Sequence, residues 1–323
     1  MKETAITIVL PVYGRSELLE PALSSVLAQT SPNWHLLIAD DGSDSDTQGF
    51  LERWMQKHAD PRLRWVRRPQ NLGLFANLNQ ALKDTETEWV LLLCSDDLLL
   101  PSAVRKLGAL RQRWPEAGLI LSTFESINAD GSKRPTDSAW HHDQISAVTS
   151  QIQPEQMLPA LLRLGSVNGN LTGMAFRRSL WQSARGFREN WRHAADWEWL
   201  CRAASQGPLV LNREPIAQVR THDSQLSNSN RRSGHELQEV AEVVRKLVAH
   251  PLLASEPRRN RWAAHVMQFQ LWNLLKGMAS RPPAESFQFL KQIRKAIGLR
   301  QTALELIRWL PTRWRRLQDP SSR

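Results

Sequence analysis

The chain has 323 residues, 41% of them hydrophobic, and a formal net charge of +10, long enough for one large α/β domain with an appendage, or for two ordinary domains, and for a substantial core. Its two cysteines, Cys94 and Cys201, lack C-x-x-C spacing, which excludes a disulfide framework and a thiolate zinc site and fits a reducing compartment. No apolar run approaches the roughly 18 residues of a membrane-spanning helix, and Met1 to Ile6 leaves no room for a signal peptide, so a cytoplasmic protein is expected.

Through the first half, apolar runs of strand length alternate with stretches of helical spacing, which predicts a mostly parallel sheet flanked by helices. Ala5-Ile6-Thr7-Ile8-Val9-Leu10 reads as the first strand, and Leu18, Leu19, Ala22 and Val26 mark the helix after it. A second strand, over 35–39, runs directly into Asp40-Asp41-Gly42-Ser43. A helix near 50–58, a strand over 63–67 and a helix near 75–82 follow. The strand from Trp89 to Cys94 runs into Ser95-Asp96-Asp97, and a helix over 103–114 and a strand over 118–122 come next.

Between Asn128 and Gln153 the sequence turns polar, which predicts a long surface excursion with His141-His142 in solvated loop. Helical spacing returns over 155–164 and 195–204, the second carrying Asp196-Trp197-Glu198, and short strands are expected at 209–211 and 216–219. Asn228 to Gly234 reads as a linker. Beyond it the pattern is helical, with one stripe at Leu237, Val240, Val244, Leu247 and Val248. A second runs along Trp262, Val266, Phe269 and Asn273, and a third along Leu304, Ile307, Trp309 and Leu310. Residues from 226 onward hold 18 Lys and Arg against 7 Asp and Glu, whereas those before hold 24 against 25.

Paired carboxylates at the end of an apolar run cannot sit inside a buried strand, but its carboxyl end can expose them. Open α/β sheets bind ligands at those ends. Oxygen ligands there suit a hard divalent cation and, through it, a diphosphate. Each cluster also has a purely local reading: an Asp-Gly turn at Asp40-Asp41-Gly42-Ser43, a helix cap at Asp96-Asp97, and a helix-start carboxylate at Asp196.

Several motifs, in order and spacing, resemble those of family 2 inverting glycosyltransferases of the GT-A fold. They are Pro11-Val12-Tyr13-Gly14, Asp40-Asp41-Gly42-Ser43, Asn71-Leu72-Gly73 with Asn77, Ser95-Asp96-Asp97, Asp196-Trp197-Glu198, and Arg220-Thr221-His222 with Ser227. The resemblance covers residues 1–225 and implies a catalytic domain there, with 226–323 as a basic helical extension.

What the resemblance implies residue by residue is as follows. Pro11 and Tyr13 line a nucleobase and Asp41 accepts from its edge; Asn71 belongs to the same donor site. Asp97 holds Mn²⁺ or Mg²⁺, and Asp96 lies near the ribose or the metal. Asp196 is the general base, and Glu198 orients the acceptor or Arg202. Arg220 pairs with phosphate and His222 contacts the diphosphate or the metal. The pattern departs from the family twice: Cys94 and Ala195 stand where relatives carry an acid.

The expected reaction moves a sugar from a nucleotide-diphosphate sugar to a glycan or lipid-linked acceptor, in cell-surface polysaccharide or lipopolysaccharide synthesis. Nucleic acid is not an expected partner. The basic tail, with Arg294, Lys295, Arg300, Arg308, Arg313, Arg315 and Arg316 among Trp309 and Trp314, fits an anionic membrane surface at the inner face of the membrane. Equally, its stripes can pack on the catalytic body with the arginines in water. The rival from another class is a catalytically silent protein that binds nucleic acid or membrane through this tail. A dinucleotide oxidoreductase is excluded for want of G-x-G-x-x-G.

Overall fold

The computed structural model describes residues 5–135, 139–167, 170–222, 235–277 and 283–318, with side chains between 236 and 311 in the C-terminal helices. Ser227, the 228–234 stretch, the 225/226 boundary and the side chains of Arg313, Trp314, Arg315 and Arg316 lie outside the described residues.

Among the described residues nine strands form one sheet in the order β3-β2-β1-β4-β8-β6-β9-β5, with β7 beside β9. Strands β1 (Ile6–Val12), β2 (Trp34–Asp40), β3 (Leu63–Arg67) and β4 (Trp89–Leu92) are parallel to one another. Next comes β8 (Met174–Arg177), antiparallel to both β4 and β6 (Leu119–Ile127), while β6 runs parallel to β9 (Leu209–Arg220). The short strands β5 (Leu98–Leu99) and β7 (Ser150–Ile152) each pair antiparallel with β9. The two short strands expected at 209–211 and 216–219 are therefore one strand, bent by a register shift opposite Ser122 and Phe124.

Side chains alternate between the two faces as a strand's period of two requires. Ile6, Ile8 and Leu10 face a core covered by α1 (Ser16–Leu27), α2 (Ser45–His58) and α4 (Ala103–Arg113). Val9, Leu37 and Val90 face the other core, beneath α3 (Leu74–Lys83), α6 (Pro154–Leu164) and α8 (Ala195–Ala204). A short α7 (Arg178–Ser183) links β8 to the segment before α8.

The second core does not stop at α8. It continues into α9 (His235–Val248), α10 (Arg259–Gly277), α11 (Pro283–Ala296) and α12 (Leu299–Gln318), through Leu237, Val244, Met267, Leu271, Phe289 and Leu306. The first expected stripe is largely buried in this way, because α9 rests on α6 and α8. The second is not: α10 turns Ala263, Met267, Gln270, Leu271 and Leu274 inward, leaving Trp262, Val266 and Phe269 half-buried and Asn273 exposed. The third departs from expectation. On α12 the inward residues are Thr302, Glu305 and Leu306, whereas Leu304, Ile307 and Leu310 are 47%, 62% and 38% exposed.

The stretch from 128 to 153 also departs from a plain surface excursion. A β-bridge pairs Ile127 with Lys133, a one-turn α5 (Trp140–Asp143) follows, and β7 joins the sheet. His142 is only 1% exposed, and burial, with Arg213 and His141 nearby, lowers its imidazole to about 4. The expectation of a solvated His141-His142 loop is corrected for His142: the one-turn helix packs it inward, which a polar local sequence does not announce.

Candidate active site

At the carboxyl end of β1, Gly14 and Arg15 both adopt left-handed backbone, and the Gly14 N–H donates to Ser43 Oγ at 3.1 Å. Pro11 lies within the strand, and Tyr13, just beyond it, is 60% exposed. On the neighbouring strand end, Asp40 Oδ1 accepts the Ser43 N–H at 2.9 Å. Asp41, 3% exposed, accepts the backbone N–H groups of Leu72 and Gly73 at 2.8 and 2.9 Å. Burial nonetheless keeps its carboxyl above the usual aspartate range against those two bonds. The turn needs its glycine: a Cβ on Gly42 would lie 2.7 Å from the Gln70 carbonyl carbon, and its φ is +73°. Asn71, in the same 70–73 segment, is exposed.

Beyond β4 the chain turns through Cys94, Asp96 and Asp97, whose candidate ligand atoms all lie within 4.8 Å of one another. Asp97 is 1% exposed. Its Oδ1 accepts the Arg220 N–H at 2.9 Å, and its Oδ2 accepts from the Thr172 hydroxyl at 2.6 Å and the Asn170 amide at 3.1 Å. Burial, and then the adjacent Asp96, raise the Asp97 carboxyl to about 7. Asp96 Oδ2 lies 3.0 Å from His222 Nε2 and 3.7 Å from Arg15 Nη1. The Cys94 thiol is pushed well above its ordinary value by burial and by the two carboxylates, so it stays protonated.

Across the same 540 Å³ cleft stands Asp196, on the first turn of α8, and Asn170, Arg192, His193 and Phe269 line it too. Burial raises the Asp196 carboxyl above the ordinary aspartate value, opposed by the Trp197 N–H and by His193. The fold thus brings Asp96, Asp97 and Asp196 to one cavity, with His222 at its edge through Asp96.

Two expected site residues have other occupations. Glu198 is 2% exposed and binds Arg202, Lys246 and Arg188 at 2.7, 2.9 and 3.0 Å; of its two expected roles, the Arg202 contact is present. Arg220 is 6% exposed, and its guanidinium donates to the carbonyls of Asp96, Asn128 and Ala129. Sequence reasoning missed Arg15, Asn170 and Thr172. Their polar side chains sit beside the expected motifs only because β1, β4 and the segment before β8 meet at one sheet edge.

An open α/β sheet in which an acidic strand end and an opposing helix carboxylate share one cleft is the architecture of the GT-A glycosyltransferases. The chain matches Glycosyl transferase family 2 over residues 7–182 and belongs to that family. It is 21% identical to an uncharacterized glycosyltransferase of Haemophilus influenzae over 75% of this chain and 72% of that protein. It is 32% identical to the colanic acid biosynthesis glycosyl transferase WcaA of Escherichia coli over 33% of this chain and 38% of that one.

Among solved structures, S. aureus TarS aligns with TM-score 0.69 at 16% identity, covering 99% of this chain and 54% of that one. TarS 1–349 in complex with UDP-GlcNAc aligns with TM-score 0.66 at 16% identity, over 93% and 84%. The mannosyltransferase PcManGT from Pyrobaculum calidifontis, in complex with GDP-Man and Mn²⁺, aligns with TM-score 0.57 at 16% identity, over 95% and 88%. At these identities the structural likeness establishes the fold. The chain spans about half the length of TarS, and its match to WcaA covers 38% of that protein.

Proposed function

We propose that this protein transfers a sugar, with inversion, from a nucleotide-diphosphate sugar to a hydroxyl of a glycan or lipid-linked acceptor in cell-surface polysaccharide or lipopolysaccharide synthesis. The observation that carries it is the single cleft shared by Asp96, Asp97 and Asp196. Inversion needs one base on the face opposite the leaving group. Asp196 takes the acceptor hydroxyl proton as that oxygen bonds to the anomeric carbon. The anomeric carbon–phosphate oxygen bond breaks, and its electron pair leaves with the nucleoside diphosphate.

The donor set fits Mn²⁺ or Mg²⁺. Asp96 and Asp97 offer hard oxygens, and each carboxylate oxygen has two lone pairs, so Asp97 Oδ1 keeps one beyond its Arg220 bond. Two carboxylates this close, one raised to about 7, are an arrangement that a cation relieves. Asp97 is the principal ligand in this reading, with Asp96 beside it. When bound, the ion supplies Lewis-acid stabilisation of the diphosphate.

In this reading Pro11, Tyr13 and Asp41, at the ends of β1 and β2, form the nucleotide side with Asn71, in the segment after β3. His222, held against Asp96, faces the diphosphate. Arg220 acts here as the brace of Asp97 and Asp96, and Glu198 as a tie between α8 and α9. The nucleotide sugars in the TarS and PcManGT complexes support the donor class, and the colanic acid relative supports the polysaccharide setting.

No helix of the described residues is long and apolar enough to cross a membrane. Leu304, Ile307 and Leu310 nevertheless form an exposed apolar row on α12 with Arg308 beside it. In an extension carrying 18 basic against 7 acidic residues, that row suits an anionic leaflet. A cytoplasmic, membrane-peripheral position at the inner face belongs to the same proposal.

Calorimetric titration with UDP-, GDP- and dTDP-sugars, with and without Mn²⁺, tests the reading. Metal-dependent binding of one nucleotide class is expected. Binding to none of them, together with salt-sensitive binding of nucleic acid, would overturn it in favour of a silent binding protein.

A further inference from the structure

We infer that Glu239, on α9 of the C-terminal extension, is a positioning residue for Asp196: it holds the turn from which α8 starts and so sets where the Asp196 carboxylate stands in the cleft. Its carboxylate accepts three consecutive backbone N–H groups, from Arg192 at 2.8 Å, His193 at 2.8 Å and Ala194 at 2.7 Å. The residue is 8% exposed. A buried carboxylate meets the cost of leaving water only by collecting such donors, and charge-assisted bonds are the strong ones.

Three donors on one side chain fix the path of the chain at 192–194, two residues before Asp196. Ala194, at the helix cap, has no side-chain oxygen of its own. The negative charge at this end also favours the helix dipole.

The rest of α9 reinforces the grip. Lys246 Nζ donates to Glu198 Oε1 at 2.9 Å, so α9 is anchored to α8 on both sides of Asp196. Glu236 lies 3.8 Å from His193 and accepts the Gln270 amide at 2.9 Å, which ties the same turn to α10. Val240, next to Glu239, lines the cleft with Val266 and Phe269. The extension thus supplies part of the wall beside Asp196 as well as the residue that orients it. Displacing a reacting group by about an ångström can cost roughly 100-fold in rate, so a second carboxylate 43 positions further along the chain is placed to matter for turnover without touching substrate.

The inference rests on Asp196 being the base, and the test separates the two. The probes are the UDP-, GDP- and dTDP-sugars with Mn²⁺, taking the one that the unaltered protein turns over. Glu239→Gln is expected to lower kcat by about tenfold or more, with donor affinity within about twofold, as the donor side is built from other elements. Combined with Asp196→Asn it should add no further loss, because a positioning residue acts through the group it positions.

An unchanged kcat in Glu239→Gln, with Asp196→Asn inactive, overturns this inference and leaves the base assignment standing. Full activity in Asp196→Asn overturns the assignment itself. Equal loss of donor affinity and kcat in Glu239→Gln makes the contact a general structural one and also overturns the inference. If Glu239→Gln does not fold, Glu239→Asp, which keeps the charge on a shorter arm, is read by the same outcomes.

Discussion

The backbone N–H of Arg220 donates to Asp97 Oδ1 at 2.9 Å, across 123 positions of sequence. The end of β9 thereby holds the buried carboxylate that the end of β4 delivers. With its carboxyl at about 7, Asp97 carries a proton below neutral pH in the metal-free protein. A cation must displace that proton. Mn²⁺ affinity is expected to weaken below pH 7, by up to about tenfold per unit, and Asp97→Ala should abolish metal-dependent nucleotide binding. Isothermal titration across pH 5.5 to 8.5, a window chosen to bracket about one and a half units either side of neutrality, checks both. A pH-independent affinity would remove Asp97 from the metal site.

Asp196→Asn is expected to keep donor binding and lose transfer by roughly 100-fold or more. Burial holds the Asp196 carboxyl above the ordinary aspartate value, and a base works only when ionised. Transfer should therefore fall as pH drops through that raised value, giving an acid limb above the range of an exposed aspartate. A rate–pH profile flat to pH 4, or normal turnover in Asp196→Asn, would reject the assignment.

Glu198 joins α8 to α9 through Arg202, Lys246 and Arg188. Burial alone would raise its carboxyl, but the bonds from Arg202 and Lys246 outweigh burial and the net shift is downward. The stability it contributes is thus present above the ordinary glutamate value and lost as pH falls through the lowered one. Glu198→Gln leaves three cations around an amide, at a cost of roughly 3 kcal/mol. Chemical denaturation reads this directly, and a loss under about 0.5 kcal/mol would show that solvent already screens the cluster.

His142 should make the protein acid-sensitive. Its folded value of about 4 lies below the ordinary 6.5, so its contribution is complete above 6.5 and disappears as pH falls towards 4. The linkage amounts to about 3 kcal/mol at most. His142→Leu is expected to flatten the dependence of Tm on pH between these limits. Equal slopes in both proteins would mean that the imidazole titrates normally.

The exposed row on α12 gives a lipid prediction. Co-sedimentation with phosphatidylglycerol-containing vesicles should exceed that with phosphatidylcholine alone. Ile307→Glu should reduce it by about tenfold, because burying a charge replaces burying an apolar side chain. Equal sedimentation with both vesicle types would leave α12 without a membrane role.

Much of the fold is legible in the amino-acid sequence. Strand β3 and helix α8 stand at their expected positions because alternation and helical spacing are local properties of a few consecutive side chains. The acidic strand ends were legible for the same reason, since carboxylates cannot continue a buried run. The sequence by itself therefore determined the α/β alternation, the positions of Asp41, Asp96, Asp97 and Asp196, and the basic character of the extension.

Tertiary structure decided which of these residues meet. The burial of His142, the outward turn of Leu304 and Ile307, and the withdrawal of Arg220 and Glu198 into braces all depend on which surface a neighbouring element covers. So does the clamp of Glu239 on 192–194. These are contacts between elements tens to more than a hundred positions apart, and no local period encodes them. Side-chain pattern selects an element and its inward face, whereas packing alone selects the partner on that face.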